Sequence, residues 1–496
     1  MRIEVFCLGA GQEVGRSCVI ASFGNEKRVM FDVGIHMGYN DKNKYPDFQL
    51  LKDRHGTDDL NQIIDVVCIS HFHTDHCAAL PILTEFEDFK NPVVASEPTK
   101  CIIPYMLEDF IKLNTDRTFD FRQEMAFAAA GKIKVIALRE TQVISDMKIT
   151  TYYAGHILGA VMFCVEYKGI KILYTGDYSS SADRHLRGCE IDQIKPHIVI
   201  SESTYGTVIR EWKKEREMKF MELIKRTFDQ GGKVLIPVFA TGRAQELFIL
   251  IEDIWKNAGW TYPVYYSAGL TSQVHFYYRL FVEWMNENVK DRIIKTKRLP
   301  FDLSYIQKFE RSYAKMDAPM VVLATPGMLH AGMSLSLFKE WCDNPKNSLL
   351  IPGYCVEGTV GNLILKGVKH LDLDNKRYEV KMNVSKMAFS AHADHKGITN
   401  LIDFLQPQHT VFVHGEAERM KNLSKFIEEK SGIKCHCPAN FESLLIDIEE
   451  NAKVVYELDK SYNEYSTKMI VRTNEHKQKV LEKLPRSKFL IRFSYF

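Results

Sequence analysis

The stretch His71-Phe72-His73-Thr74-Asp75-His76 constrains this chain more than any other. Four side chains able to bind metal fall within six positions. The apolar run Ile63 to Ile69 leads into them and reads as a buried strand, and Cys77 to Phe86 after them reads as the start of a helix. A strand end points His71 and His73 the same way, and the bend into a helix splays Asp75 from His76. Two pairs of ligands then face two neighbouring points in space. Imidazole nitrogens with a carboxylate suit zinc, and less often iron or manganese. A polar loop that is merely rich in histidine would need neither the strand before it nor the helix after it.

The rest of the chain bounds what such a site can serve. With 496 residues there is room for two or three domains and a large core. A net charge of +2 gives no global basic field, so any polyanion site must be a local cleft. The 11 cysteines are scattered without a CxxC pair, which fits a reducing compartment. Cys435 and Cys437 flank His436, a trio too small to make a metal site by itself. The opening MRIEVFCLGAGQEVG starts as a strand without an apolar signal core, and no run approaches the ~20 apolar residues that span a bilayer. The expectation is a soluble, intracellular protein with no membrane partner.

Along the chain, Arg2 to Leu8 reads as a strand. The glycines of Gly9 to Gly15 resemble a dinucleotide loop, but Ser17 to Phe23 behind them is strand-like, where a phosphate loop needs a helix. Ser17–Phe23 and Arg28–Val33 read as a hairpin, and strands this closely spaced suggest half of a β-sandwich. Met147–Tyr153, the hairpin Ala160–Tyr167 with Lys171–Thr175, and Ile198–Ile200 each lead towards a ligand or carboxylate: His156, Asp177 and Glu202. From about Gly206 strands and helices alternate, which suggests a parallel sheet covered by helices. Met387–Ser390 and Thr410–Val413 then read as strands ending in His392 and His414. The α/β block is therefore an insertion, giving a first domain over 1–206, an inserted domain over 207–386, a return segment over 387–450, and a tail over 451–496. The tail carries ten Lys/Arg against five Asp/Glu. It reads as a small packing unit, an RNA contact or a partner-docking element, or simply a solvated charged face.

Two metals need about seven or eight ligands. His71, His73 and His156 suit the first, Asp75, His76 and His414 the second, with Asp177 as the carboxylate that spans both. Such a pair lowers the pKa of water towards ~7 and so supplies hydroxide at neutral pH. Asp32 falls outside the ligand count and suits a role as acceptor for a ligating histidine. His392, held by Glu202, suits protonation of a leaving oxygen, and with Asp75 these form the candidate catalytic set. Arg243, opening a helix after a strand, suits a phosphate. Gly327 and Gly332 flank a second backbone-exposed loop in which His330 reads as structural.

These residues resemble the metallo-β-lactamase superfamily, and within it the β-CASP nucleases. Asp32, His71 to His76, His156 and Asp177 match the four metallo-β-lactamase motifs, and Glu202, His392 and His414 match the three β-CASP motifs. The match runs from Val5 to about Asn440. Gly34 to Asp41, Tyr45-Pro46-Asp47-Phe48, Ala324 to Gly332 and Gly353 to Thr359 are similar to the eukaryotic RNA 3′-end-processing endonucleases of the cleavage-and-polyadenylation and Integrator type. Departures fall at Thr74, Ala78 and Thr241, where the family usually has Leu, Gly and Leu, and none removes a ligand. The resemblance implies an α/β fold: a metallo-β-lactamase αββα sandwich with an inserted β-CASP domain. It also implies two zinc ions, hydrolysis of an RNA phosphodiester leaving a 3′-hydroxyl, paralogous and scaffold subunits as partners, and a nuclear location. A small-molecule hydrolase of the superfamily would leave the insertion and His392 unexplained. A DNA-directed relative usually lacks a histidine at the position of His414. A non-catalytic scaffold subunit would have lost ligands.

Overall fold

The structure, a computed structural model, describes residues 1–39, 41–113, 121–267, 270–298, 301–389 and 391–448, together with the strands Met469–Thr473, Lys479–Lys483 and Ser487–Phe489. Ile3–Ile446 forms one compact unit, and Met1–Arg2 with Asp447–Phe496 forms another. In the latter the three described strands pair antiparallel, and the remainder of the tail read over 451–496 lies outside the described residues.

The large unit contains two seven-stranded sheets that hold the candidate metal-binding residues. The first runs Ser443–Asp447, Arg2–Gly9, Cys18–Phe23, Lys27–Phe31, Val66–Cys68, Val93–Ala95, Ile133–Val135. Arg2–Gly9, Cys18–Phe23 and Lys27–Phe31 meander antiparallel, with Gly24 supplying the positive φ of the second turn. From Lys27–Phe31 onwards the pairs are parallel. Val66–Cys68 is therefore covered on both faces, which is why Val66 to Ile69 is a continuous apolar run and does not alternate. The second sheet runs Lys434–His436, His409–Val413, Ile198–Glu202, Ile170–Tyr174, Val161–Tyr167, Met147–Tyr153, Thr141–Ile144. Its return strand His409–Val413 lies parallel to Ile198–Glu202, so residues 203 to 408 are spliced between neighbouring strands.

The two sheets meet directly behind the metal-binding residues. Phe31 of the first stacks on Tyr174 of the second, with centroids 4.7 Å apart. The Tyr174 hydroxyl donates to Asp32 at 2.7 Å. Apolar packing and a buried polar contact thus use the same side chain.

The spliced segment builds a third sheet of six strands, all parallel, in the order Ile306–Lys308, Val264–Tyr266, Met320–Ala324, Lys233–Pro237, Ser348–Ile351, Asn383–Lys386. Val234, Ile236, Val321 and Leu323 face Leu247, Phe248, Ile251 and Trp255 of the helix Arg243–Ala258 in one cluster, and Leu235, Val322, Leu349 and Ile351 join a second. Successive side chains of the apolar strands point to opposite faces and so fill the two cores in turn, and the helix meets one of them with residues recurring about every 3.6 positions.

Three local readings need correction. Met387–Phe389 forms no strand, and Ser390 lies outside the described residues; the strand just before is Asn383–Lys386, which belongs to the third sheet. The apolar content of Met387 to Phe389 serves packing, since Phe389 sits in the inserted domain's core. Cys77 to Phe86 is not one helix but a turn of α-helix, Thr74–Cys77, and a wider turn, Ile82–Phe86. Gly332 opens a helix, Gly332–Trp341, rather than closing an exposed loop.

Removing the Tyr174 hydroxyl while keeping its ring tests the shared contact. Tyr174→Phe is expected to lower the unfolding free energy by about 1–3 kcal/mol in urea titration, because a buried carboxylate loses one donor.

Candidate metal centre

Asp32 organises the inner layer. It follows the strand Lys27–Phe31 with a left-handed φ of 61°, a conformation that costs energy outside glycine and is characteristic of functional sites. Its carboxylate accepts from the Ser70 N–H, the Ser70 hydroxyl, Tyr174 and His76 Nδ1, each at 2.7 Å. The proton on His76 Nδ1 is thereby fixed, and Nε2 is left with its lone pair. The Ser70 hydroxyl, spent on Asp32, accepts from His71 Nδ1 at 3.0 Å and leaves His71 Nε2 free. One buried aspartate therefore sets two ligands. Gly34 next to it is packed so closely that a Cβ there would lie 1.7 Å from the Asp75 carbonyl oxygen. No side chain fits between this loop and the hexapeptide.

The donors converge as two groups. His71 Nε2 and His156 Nε2 each lie 3.1 Å from His73 Nδ1, and Asp177 Oδ2 lies 3.7 and 3.6 Å from the first two. His76 Nε2 is 3.2 Å from Asp177 Oδ2 and 3.9 Å from Asp75 Oδ2, which is 3.3 Å from His414 Nε2. Donors about 2.0–2.1 Å from a tetrahedral zinc stand roughly 3.3–3.4 Å apart. The observed spacings bracket that value. His71, His73, His156 and Asp177 form one potential metal cluster, and Asp75, His76 and His414 another. Asp177 Oδ1 is buried without a hydrogen-bond partner among the described residues, an orphan oxygen that a cation would satisfy.

The electrostatics agree with the donor geometry. Burial, reinforced by the neighbouring imidazoles, pushes His71 far below the usual histidine value. Burial pushes His73 down to about 4, and burial with the charge of His392 pushes His156 far down. These three are neutral, the form in which imidazole binds metal. Burial acts the same way on His76, but the carboxylates of Asp177, Asp32 and Asp75 outweigh it and raise His76 well above its ordinary value. Three carboxylates converging on one imidazole call for positive charge, and a divalent cation supplies it.

The return segment completes the centre. Ala391 carbonyl accepts from His156 Nδ1 at 3.1 Å and so directs His156 Nε2 at the cluster. His392 Nδ1 lies 2.7 Å from Glu202 Oε2 and 3.6 Å from Asp177 Oδ2. Glu202 is fixed by the Tyr178 N–H at 2.8 Å and the Thr204 hydroxyl at 2.8 Å. That hydroxyl, used as a donor, accepts from His414 Nδ1 at 3.0 Å, which turns Nε2 towards Asp75. Burial disfavours charge on His392, yet Glu202 and Asp177 more than compensate and raise its pKa. His414 itself has a positive φ of 50°, a second strained position at the end of a strand.

Thr204, Tyr174, Ser70 and Ala391 carry weight that the sequence reading did not assign. No motif marks them; their roles come from contacts across 142 positions for Tyr174 and 210 for Thr204. Arg243 does open a helix and lines the cavity over the metal-binding residues, but its guanidinium is bound to Asp183 and to the Phe389 carbonyl. His330 is half-buried and outside both clusters.

That cavity has a volume of about 90 Å³ and is walled by Phe239, Met328, Tyr354 and Val356 of the inserted domain. It has room for a few waters only and falls below the roughly 300–1,000 Å³ of ordinary ligand pockets.

Comparison with known proteins gives three domain matches: "Metallo-beta-lactamase superfamily domain" over 25–205, "Beta-Casp domain" over 244–364, and "Zn-dependent metallo-hydrolase RNA specificity domain" over 377–438. The chain is 46% identical over 449 residues to Integrator complex subunit 11 of Danio rerio, covering 90% of this chain and 74% of that protein. It is 42% identical to cleavage and polyadenylation specificity factor subunit 3-II of Arabidopsis thaliana, covering 90% and 72%. It is 36% identical to cleavage and polyadenylation specificity factor 73 of Drosophila melanogaster, covering 94% and 69%. A crystal structure of a protein of unknown function from Enterococcus faecalis superposes with a TM-score of 0.50 at 11% identity, covering 90% of this chain and all of that one, a likeness of fold alone.

Asp32→Asn should weaken metal affinity on the order of 10–100-fold in a chelator competition, because the proton positions on His71 and His76 are no longer imposed.

Proposed function

The chain belongs to the metallo-β-lactamase superfamily, in its β-CASP group, and on that premise we propose that it is a two-zinc RNA endonuclease of the 3′-end-processing type. The observation that carries this reading is the coincidence of both donor clusters with a carboxylate-held histidine, His392, at their edge. His71, His73, His156 and Asp177 would hold one ion and Asp75, His76, His414 and Asp177 the other. When bound, the ions would lower the pKa of a water towards ~7 and offset the charge of a phosphodiester.

The protein's own groups do the rest. Asp75 and Asp177 supply the negative charge that keeps the cations in place. As a water oxygen bonds to phosphorus and sheds a proton to solvent, the P–O3′ bond breaks and His392 gives its Nε2 proton to the departing 3′-oxygen; Glu202 at Nδ1 stabilises the imidazolium and fixes its orientation. The products are a 3′-hydroxyl and a 5′-phosphate. A guanidinium carries five N–H donors, so Arg243 retains donors for a phosphate oxygen beyond those given to Asp183 and Phe389. With only about 90 Å³ over the metal-binding residues, the substrate strand enters when the wall formed by Phe239, Met328 and Tyr354 moves away. The Tyr354 hydroxyl bonded to Glu416 at 3.0 Å ties that wall to the return segment.

Two relatives are named as subunits of complexes, and this chain is read as working in the same manner: the nuclease subunit of a nuclear assembly with paralogous and scaffold subunits. No helix among the described residues is long and apolar enough to cross a membrane.

His392→Gln keeps the shape and the metal-binding donors but has no proton to give. In single-turnover cleavage of single-stranded RNA by the chain in its native assembly, it is expected to fall on the order of 10²–10⁴-fold with zinc content unchanged. Cleavage at the wild-type rate would remove His392 from the mechanism.

A further inference from the structure

The carboxyl edge of the inserted domain's parallel sheet carries a second cavity. Phe239 and Met328, just past the strands Lys233–Pro237 and Met320–Ala324, wall the metal centre. Tyr266 and Lys308 end the neighbouring strands Val264–Tyr266 and Ile306–Lys308 and line a cavity of about 450 Å³. All these strands are parallel, so the two cavities open on one edge, where open parallel sheets bind ligands. Two strand spacings, about 10 Å, separate Val264–Tyr266 from Lys233–Pro237.

The second cavity has the parts of a built site. His275 lies in its wall only 8% exposed, and its Nε2 has no hydrogen-bond partner among the described residues. The ring is locked flat against Phe301, centroids 5.0 Å apart and planes 15° apart, and edge-on to Phe248 at 5.5 Å. Burial, helped by the charge of Arg279, pushes His275 down to about 4, so it is neutral at pH 7. A buried polar nitrogen left unpaired is costly, and a ligand's ring edge would satisfy it. Phe276 beside it is 61% exposed and, though T-shaped to Tyr277 at 5.5 Å, offers aromatic surface to the cavity. Arg279 is paired with Asp302 at 2.8 Å, while Lys308 makes no ion pair among the described residues, so the cavity is net cationic. Its volume lies within the roughly 300–1,000 Å³ of small-ligand sites.

We propose that this cavity binds a nucleotide of single-stranded RNA: the base against Phe276 with its edge at His275 Nε2, and the phosphate at Lys308 and Arg279. It rests on the reading of the chain as an RNA endonuclease and places a second hold on the same strand, a short distance along the sheet edge from the bond to be cut. An aromatic, acidic peptide would meet the same charges, but it would not account for a second opening on the edge that already serves the metal centre, nor would its side chains require a neutral imidazole.

The test is fluorescence anisotropy with labelled single-stranded oligoribonucleotides of roughly 12 nucleotides, using the full chain carrying His392→Gln so that RNA is bound and not cut. Added to that background, His275→Phe, Phe276→Ala and Lys308→Ala should each weaken binding about tenfold. Lys308→Ala should also reduce the slope of log affinity against log salt by about 1, a change that a merely structural role would not produce. Should His275→Phe unfold, the two surface variants Phe276→Ala and Lys308→Ala still decide. Unchanged affinity in both, with the parent binding RNA, overturns this site and leaves the endonuclease reading standing. Loss of binding to a glutamate- and tyrosine-rich peptide without loss of RNA binding also overturns it, in favour of a protein ligand. A parent that binds no RNA overturns both.

Discussion

The buried carboxylate of Asp177 is the constraint on which the rest of the structure depends. It lies at the end of the hairpin Val161–Tyr167 with Ile170–Tyr174 and is surrounded by His71, His76, His156, His392 and His414. A carboxylate so far from water is costly unless positive charge meets it. Asp75 and Asp32 add negative charge to the same few ångströms. The fold accepts this because the second layer is complete: Ser70, Asp32, Thr204 and the carbonyl of Ala391 each fix one ligand's proton, and Tyr174 donates to Asp32. What remains unsatisfied is aimed inwards, at positions where cations fit.

This centre cannot be assembled from either end of the chain alone. Glu202 and His392 touch across 190 positions, and His414 meets Asp75 across 339. The six-stranded inserted sheet occupies the interval between them and also supplies the wall over the metal-binding residues. Substrate access and catalytic geometry are thus coupled by connectivity. The inserted domain is joined on one side to the strand that carries Glu202 and on the other, through its own edge strand Asn383–Lys386, to the segment holding His392. Any movement that opens the wall acts on the segment holding the proton donor. The carboxyl edge of the same sheet then becomes the natural track for the substrate strand.

Much of this was legible in the sequence, for a physical reason. Ligands at the ends of short, fully buried strands leave a signature: an apolar run followed at once by His or Asp, as at Ile69-Ser70-His71 and Val413-His414. The β/α alternation from Lys233 to Ile351 was equally plain, since parallel strands are apolar throughout. The sequence failed where apolar content serves packing across elements. Met387 to Phe389 looks like a strand, yet Phe389 is there to fill a core and to offer its carbonyl to Arg243. Arg243 looked free because nothing nearby in sequence foretold Asp183, 60 positions earlier. Thr204 and Tyr174 are ordinary residues by composition; the docking of two sheets gives the Tyr174 hydroxyl its role, and the return strand laid beside Ile198–Glu202 gives the Thr204 hydroxyl its own. His275 was invisible for the same reason: an unremarkable helical position becomes a polar wall only when Phe301 closes over it.

The central claim is that two cations share one buried carboxylate in a site built from both ends of the first domain. It is tested most directly by elemental analysis of the purified chain beside its Asp177→Ala variant. The account predicts about two zinc ions per wild-type chain and loss of both in the variant, since the shared ligand serves each cluster. A wild-type chain with almost no zinc, or a variant that keeps its full complement, would contradict it.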